Sequence, residues 1–229
     1  MDFTVIVHNI TYFLIGAYPN GFLGGAALTI LLSIASSIIS AILGLIFGVI
    51  LAVTKGLIHQ VLVIFLGFFR AIPVIMLIFW VYFLLPILFN IDIPGTFTVV
   101  CSLSLIGGAY LAHAVYAGIR SLPAGQWQAG AALGMKPFQV LRYIILPQAL
   151  PIMMPSFINQ WVSLIKDTSL AYVIGVPELS FVATQVSNRV MVYPAEIFLF
   201  VAVVYYIYCV GLSFVANSLL KRYQSKTAL

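Results

Sequence analysis

The chain contains 229 residues, of which 63% are hydrophobic and only 7% are charged. Because soluble domains contain roughly 45 to 50% apolar residues, this composition excludes an ordinary soluble protein and indicates a protein of the lipid bilayer. The net charge of +5 does not imply binding to nucleic acid, since most basic residues lie between the apolar runs, where membrane topology explains them.

Five apolar runs are long enough to cross a hydrocarbon core, which takes about 20 helical residues. The second run has one charge, Arg70, and is too long for one straight crossing, so we expect Pro73 or Pro86 to kink it. The residues before the first run lack the features of a secretory signal, and we expect them to lie at the membrane interface. The sequence therefore predicts an all-α integral membrane protein with five transmembrane helices in one transmembrane domain, residues 1–229. The runs cover residues 21–53, 57–90, 95–119, 151–176 and 195–220.

The basic residues predict the orientation, because loops that face the cytoplasm are enriched in Lys and Arg. With five crossings and the N-terminus outside, seven of the ten basic residues become cytoplasmic, and only Arg189 falls outside. We therefore expect an external N-terminus and a cytoplasmic C-terminus. The seven are Lys55, Arg120, Lys136, Arg142, Lys221, Arg222 and Lys226. The acidic residues that fall outside on this topology are Asp2, Asp92, Glu178 and Glu196.

The one sizeable cytoplasmic segment, residues 121–151, is predicted to form two short helices. The first covers about 124–133 and ends at Gly134, a residue suited to a left-handed C-terminal cap. Pro137 suits the first turn of the second helix, which we expect to end before Pro147. A separate membrane span would then begin at the end of the segment.

The first of these short helices has one face of small residues, 129–132, which another protein could approach closely. Trp127, Met135 and Phe138 could fill pockets on such a partner. The alternative is a helical hairpin that packs on its own membrane domain. The pattern alone favours neither arrangement.

The same segment resembles the cytoplasmic signature of the membrane permease subunits of ABC importers for polar amino acids. That signature reads EAA, three residues, Gly, nine residues and then I-x-L-P. Two departures stand out, because the family glutamate is Gln128 and the second alanine is Gly130. Any salt bridge made by the glutamate is therefore absent or replaced by neutral hydrogen bonds. The matching positions are Gln128, Ala129, Gly130, Gly134, Ile144, Leu146 and Pro147.

Other stretches extend the resemblance to nearly the whole chain, among them FRAIPVIMLIFWVYFLLP and NQWVSLIKDTSLAYVIGVPEL. It implies the ABC importer permease fold in a bacterial cytoplasmic (inner) membrane, with two such subunits forming the pathway. It also implies an extracytoplasmic amino-acid-binding protein and an ATPase subunit docked on the coupling loop, 121–147. No GxxxxGK[ST] loop is present, so ATP and Mg would be bound by the partner ATPase, and this chain would be a transport subunit without a cofactor, not an enzyme. The residues implied in ATPase coupling are Gln126, Trp127, Gln128, Ala129, Gly130, Gly134 and Met135.

The stretch LIKDTSL, residues 164–170, places Lys166 and Asp167 side by side inside an apolar run. Neighbours on a helix point about 100° apart and cannot both face one partner, so we expect a helix break. Thr168 and Ser169 can bond nearby backbone groups there. Ionisable groups at membrane depth indicate a substrate pathway or gate. The alternative is a structural ion pair of Asp167 with Arg70.

The third span carries a polar stripe at helical spacing that includes Tyr110, His113 and Arg120. Family members commonly read AEIxRAGI here, so His113 replaces a usual glutamate and Tyr116 a usual arginine. A lone histidine in an apolar helix is often a hydrogen-bonded structural residue, and that alternative stays open. Asn159 and Gln160 either contact a zwitterion or pack helices together. The predicted substrate pathway comprises Arg70, Tyr110, His113, Asn159, Gln160, Lys166, Asp167, Thr168 and Ser169.

Charge within the spans favours a carboxylate as cargo, since Arg70 and Lys166 oppose only Asp167. FRAIPVIMLIFW also resembles glutamate/aspartate-type permeases, so we expect an acidic or amide amino acid, with basic amino acids second. A passive channel or secondary transporter is the alternative from another class, but five spans without an inverted repeat disfavour it. A membrane enzyme is disfavoured because the three histidines of this chain lie on different segments and no paired carboxylates accompany them.

Overall fold

A computed structural model describes residues 4–227, with side chains up to Lys221. The expectation for Asp2, and those for the side chains of Arg222 and Lys226, lie outside the described part. The regular elements of 4–227 are helices, in agreement with the all-α prediction. They are α1 (Thr4–Ile15), α2 (Gly25–Val53), α3 (Leu57–Ala71), α4 (Val74–Phe89), α5 (Gly95–Arg120), α6 (Ala124–Ala132), α7 (Pro137–Ile174), α8 (Leu179–Val190) and α9 (Pro194–Thr227).

The predicted spans appear as four long apolar helices, α2, α5, α7 and α9, and one bent pair, α3 and α4. Counting the bent pair as one span gives the predicted five. The two helices of the pair meet at 99°, and the bend lies at Pro73, which has an extended backbone before α4. Pro86 does not break α4, because a wider π turn over Trp80–Leu84 comes directly before the α-helical residues that contain it.

Helix α7 corrects two expectations, since the second short helix does not end before Pro147 and no separate span begins at 151. One helix of 38 residues runs from Pro137 to Ile174. A proline inside a helix removes one backbone hydrogen bond and crowds the preceding turn. A π turn over Leu141–Ile145 lies just before Pro147, and Gln148 Nε2 donates a hydrogen bond of 2.9 Å to the Ile144 carbonyl. The π turn widens the helix just before Pro147, and the Gln148 side chain adds a donor to a carbonyl of the same turn.

By contacts the chain forms two compact units, and unit 1 comprises Met1–Ile38, Ile72–Ser104 and Trp161–Leu212. Its first core cluster includes Ile78, Leu103 and Leu164, all fully buried. Its second cluster joins α1 to α8 and α9 through Phe13, Leu179 and Ile197. Helix α1, predicted to lie at the interface, is therefore packed into unit 1 on one side.

Unit 2 comprises Ile39–Ala71, Leu105–Gln160 and Ser213–Leu229. Helices α2 and α5 pack closely there because Gly44 and Gly48 carry no side chain. A Cβ atom at either glycine would lie 2.4 Å from the Cβ of Leu111 or Val115, respectively. Gly44 and Gly48 form a GxxxG pattern, which is typical of close helix packing in membranes.

The two units differ sharply in charge. By sequence, the ranges of unit 1 contain all five acidic residues and two of the ten basic ones. The ranges of unit 2 contain eight basic residues and no acidic residue. Unit 2 also contains the segment that is predicted to be cytoplasmic. Its excess of basic residues therefore agrees with the enrichment of Lys and Arg in cytoplasmic loops, on which the predicted orientation rests. The orientation itself remains a prediction.

Candidate functional site

The segment that is predicted to be cytoplasmic has the predicted helix and cap. Helix α6 covers Ala124–Ala132, and Gly134 has the predicted left-handed backbone, with φ of +73°. The Gly134 amide donates to the Ala131 carbonyl, and the Met135 amide donates to the Gly130 carbonyl. These two bonds form a Schellman motif, which satisfies carbonyls at the helix end and reverses the chain direction.

Gly130 lies against the next helix, so the segment is a hairpin that packs on itself at this point. A Cβ atom at Gly130 would lie 2.6 Å from Val140 Cγ2 and 3.2 Å from Ile144 Cδ1. This contact explains why the second alanine of the signature is a glycine here. Other parts of the hairpin are open, since the exposed fractions of Leu133 and Phe138 are 79% and 67%. The remaining exposed positions of α6 include Gln128, Ala129, Ala131 and Ala132.

A cavity of about 880 Å³ lies within unit 2, beside the hairpin. Lys55 and Arg120 bring two positive charges to its wall, and no acidic residue of unit 2 opposes them. Gln126 and Trp127 are half-buried, and the Gln148 side-chain amide donates to Gln126 Oε1 at 3.3 Å. This neutral hydrogen bond is made by Gln126 and not by Gln128, the position of the family glutamate, which is exposed. The lining residues are Val49, Ala52, Val53, Lys55, Ile119, Arg120, Leu122, Ala124, Trp127, Gln128, Pro137, Phe138 and Leu141.

The structure brings together two residues of the predicted pathway, Arg70 and Tyr110. The Arg70 guanidinium lies 5.2 Å from the centroid of the Tyr110 ring, a cation–π contact. The Tyr110 hydroxyl donates a hydrogen bond of 3.3 Å to the Arg70 carbonyl. Arg70 is exposed in the last turn of α3, where the helix dipole favours a cation. The guanidinium is therefore oriented and still accessible.

His113 and Tyr116 have structural partners on the same helix face. The Nδ1 atom of His113 lies 3.2 Å from the Ala109 carbonyl, a hydrogen bond that requires the proton on Nδ1 and leaves Nε2 as an acceptor. The Tyr116 ring lies between the Arg120 guanidinium, at 5.7 Å, and the His59 ring, at 5.9 Å. This contact supports the structural alternative for His113, whose side chain is half-buried.

The LIKDTSL stretch changes helix type at the expected place. Regular α-helix ends at Asp167, and a 3-10 turn covers Thr168–Ile174. The helix therefore tightens instead of unwinding. The predicted bonds of Thr168 and Ser169 are present, to the carbonyls of Ile165 at 2.6 Å and Lys166 at 2.7 Å.

The two charges of this stretch have different surroundings. Lys166 is exposed, whereas Asp167 is half-buried and forms a side-chain hydrogen bond with Ser163. Asn159, exposed, and Gln160, half-buried, lie two turns earlier on α7. The substrate roles of these residues remain predictions.

Glu178 is a residue that the sequence reasoning missed. It lies between the spans and is fully buried, whereas the sequence reasoning assigned it only a side of the membrane. Its carboxylate accepts bonds from the amides of Ser180 and Phe181, at 2.9 and 2.8 Å, and from the Tyr205 hydroxyl at 2.8 Å. Burial raises the pKa of Glu178 to about 7, against the lowering effect of these bonds. The available signal was its position before α8, since acids favour helix N-termini.

Comparisons with known proteins agree with the fold and with the family that the sequence resembles. The profile of the family described as "Binding-protein-dependent transport system inner membrane component" matches residues 44–227. The glutamine transport system permease protein GlnP of Escherichia coli (strain K12) is 38% identical over 170 residues, covering 72% of this chain and 75% of that protein. The L-cystine transport system permease protein TcyB of Bacillus subtilis (strain 168) is 35% identical over 159 residues, covering 69% and 68%. A crystal structure of an amino acid ABC transporter with histidines superposes with a TM-score of 0.82 at 23% identity, covering 97% of this chain and 99% of that one.

Proposed function

The chain belongs to the family of binding-protein-dependent transport system inner membrane components, as a permease subunit of an amino-acid ABC transporter, and we propose that its cargo is glutamine, glutamate or aspartate. It is a transport subunit and not an enzyme. The observation that carries the proposal is the accessible Arg70 guanidinium on Tyr110, in a unit without a single acidic residue.

Arg70 is suited to binding the α-carboxylate that every amino acid carries. A guanidinium offers donors in a planar fork that matches a carboxylate, and such bonds are stronger than neutral ones. The Tyr110 ring holds the fork in place, which lowers the entropy cost of binding. This contact selects amino acids as a class and does not select among their side chains.

The choice of side chain rests on the remaining charges. By charge alone, the sequence favours a carboxylate or an amide oxygen on the cargo, because Lys166 is a second exposed cation among the predicted pathway residues. The names of two relatives, a glutamine and an L-cystine transport system, support a cargo without a positive side chain. Basic amino acids are the second candidate, favoured by the partly open carboxylate of Asp167.

Transport would follow alternating access, driven by a separate ATPase subunit that docks on α6. A second permease subunit would complete the pathway, and an extracytoplasmic binding protein would deliver the cargo. The Gly130 contact with Val140 joins α6 to the first turn of α7. Because α7 continues as one helix to the LIKDTSL stretch, a displacement of the hairpin would reach Lys166 and Asp167 without crossing a loop. The chain would reside in a bacterial inner membrane.

The test is uptake into proteoliposomes that contain the complete transporter, purified through a tag on this chain. The cargo panel is glutamine, glutamate, aspartate, arginine and histidine. Arg70→Gln should raise KM for the transported amino acid by about 10-fold or more, because a hydrogen bond to a charged group contributes about 1.5 to 3 kcal/mol. Arg142→Gln is the matched control, since Arg142 makes a similar contact with Tyr143, at 5.7 Å.

Three outcomes would contradict the proposal. Uptake of arginine or histidine alone would favour the basic-amino-acid alternative. An unchanged KM in Arg70→Gln would remove Arg70 from the binding site. Uptake that continues without ATP, with no ATPase subunit copurifying, would indicate a channel or secondary transporter.

A further inference from the structure

A buried polar cluster in unit 1 connects the LIKDTSL stretch to α8, and it includes no cation. We call Thr168, Glu178, Ser180 and Tyr205 the Glu178 cluster. Tyr205 of α9 donates its proton to Glu178, and its oxygen lies 3.3 Å from the Ser180 hydroxyl. Thr168, which is fully buried, interacts with the same tyrosine oxygen. One tyrosine hydroxyl therefore connects three segments of the chain.

The carboxylate of Glu178 is unusual because it is fully buried without a positive partner among the side chains that the structure describes. A buried charge normally needs an ion pair, since removing it from water is costly. The groups that face it are hydroxyls and backbone amides, from Tyr205 on α9 and from Ser180 and Phe181 on its own helix. Its neighbours on other elements bring no charge. From α2, Thr29 accepts a bond from the Leu179 amide, and α1 contributes the apolar Phe13 to the same core.

Capping α8 does not account for the whole arrangement. Two amide bonds already satisfy the N-terminus of α8, and a serine or aspartate would provide them. The third bond leaves the helix and reaches Tyr205, 27 positions along the chain. Since Tyr205 also meets Thr168, the position of α8 is linked to the place where α7 changes helix type.

We propose that Glu178 and Tyr205 are positioning residues, which hold α8 and the Thr168 turn together in one state of the transport cycle and separate when the pathway opens. This inference rests on the alternating-access mechanism proposed above, but not on the identity of the cargo. Separation would break the Tyr205 bond and leave the carboxylate with fewer donors, so opening would be easier when Glu178 is protonated. The raised pKa of Glu178, about 7, places this change near neutral pH.

The experiment compares variants in the complete transporter, with its ATPase and binding protein, in proteoliposomes. Glu178→Gln and Tyr205→Phe keep the shapes of the side chains and remove the charge or the bond. Tyr206→Phe is the matched control, because Tyr206 is the next residue on α9 and is 69% exposed. ATP hydrolysis is measured with and without binding protein, and uptake is measured in parallel.

We expect Tyr205→Phe to raise ATP hydrolysis without binding protein by about 10-fold, the equivalent of one hydrogen bond to a charged group. Glu178→Gln should do the same, and the double variant should be no worse than the stronger single one, since both remove one contact. Hydrolysis without binding protein should depend on pH between about 6 and 8 in the wild type and lose that dependence in Glu178→Gln. Tyr206→Phe should resemble the wild type.

Additive effects of the two substitutions would overturn the inference. So would variants that are less stable to heat but keep wild-type hydrolysis and uptake per ATP, because that result indicates a structural role alone. The proposed cargo is tested separately by wild-type uptake. A wild-type complex that hydrolyses ATP but imports none of glutamine, glutamate and aspartate would refute the cargo and leave the comparison of hydrolysis rates intact.

Discussion

Replacing Gly130 with alanine tests the contact between α6 and α7. The added Cβ would lie 2.6 Å from Val140 Cγ2, and valine is stiff at χ1, so it cannot rotate away freely. Overpacking of this kind costs about 1 to 3 kcal/mol. Alanine is better than glycine in a helix by up to about 1 kcal/mol. With a mid-range cost of about 2 kcal/mol and a gain of up to about 1 kcal/mol, the net destabilisation of the hairpin should be about 1 to 2 kcal/mol.

Hydrogen exchange of residues 124–140 in the complete transporter measures this loss. Amide exchange should become roughly 5 to 30 times faster in Gly130→Ala, the factor that corresponds to that free energy. Uptake per ATP should fall with it. Gly125→Ala is the matched control, because Gly125 lies on the same helix with nothing within 4 Å of an added Cβ.

The double variant Gly130→Ala/Val140→Ala removes the two methyl groups that crowd the new Cβ. We expect this variant to regain part of the lost protection against amide exchange and part of the lost uptake. The recovery is partial because the variant also loses the apolar side chain of Val140, which is 2% exposed. Equal exchange rates in Gly130→Ala and Gly125→Ala would refute the reasoning. A double variant worse than both single ones would show that Val140 acts elsewhere.

Three further predictions concern other contacts. Gly48→Ala should lower thermal stability, because its Cβ would lie 2.4 Å from that of Val115. Gly67→Ala is the control and should not lower it, because nothing lies within 4 Å of its added Cβ. Equal melting curves for the two variants would argue against close packing of α2 and α5. Gly134→Arg should reduce uptake per ATP, since a side chain at φ of +73° is strained, and uptake that stays coupled would exclude this route. The raised pKa of Glu178, about 7 against the usual 4.5, means that the folded state binds this proton more tightly. The contribution of Glu178 to stability is therefore greatest below about pH 4.5 and falls, by about 3 kcal/mol in all, as pH rises through 7. In thermal melts at several pH values, Glu178→Gln should show a smaller fall in stability than the wild type. An equal fall in both proteins would contradict this prediction.

The local features of this fold could be predicted from the sequence. A kink at Pro73 follows from the missing N–H and the restricted backbone of proline, and the Gly134 cap follows from the freedom of glycine at positive φ. The continuity of α7 could not be predicted in the same way. Pro147, Pro151 and Pro155 each indicate a break, and the π turn and the Gln148 bond that carry the helix past Pro147 are visible only in three dimensions.

Glu178 illustrates a different reason for failure. Its position between two spans gave no sign that its side chain is buried against Tyr205 of α9. The donors that stabilise the carboxylate come from Tyr205, 27 residues away, and from amides that converge only after α8 has formed. A burial that depends on tertiary contacts leaves no pattern of spacing in the sequence. The GxxxG pattern of Gly44 and Gly48, by contrast, was present and overlooked.

The charge difference between the units also bears on how the transporter assembles. Unit 2 contains eight basic residues and no acidic residue, so none of its cations can form an ion pair within the unit. An excess of one charge sign favours binding of the opposite sign, such as anionic lipid headgroups or acidic groups of a partner protein. The neutral Gln128 adds to this charge imbalance, because the family that the sequence resembles has a negatively charged glutamate at the matching position. The hairpin therefore presents a neutral amide beside Lys55 and Arg120, and if the proposed docking of the ATPase on α6 is correct, we expect the facing ATPase surface to be acidic.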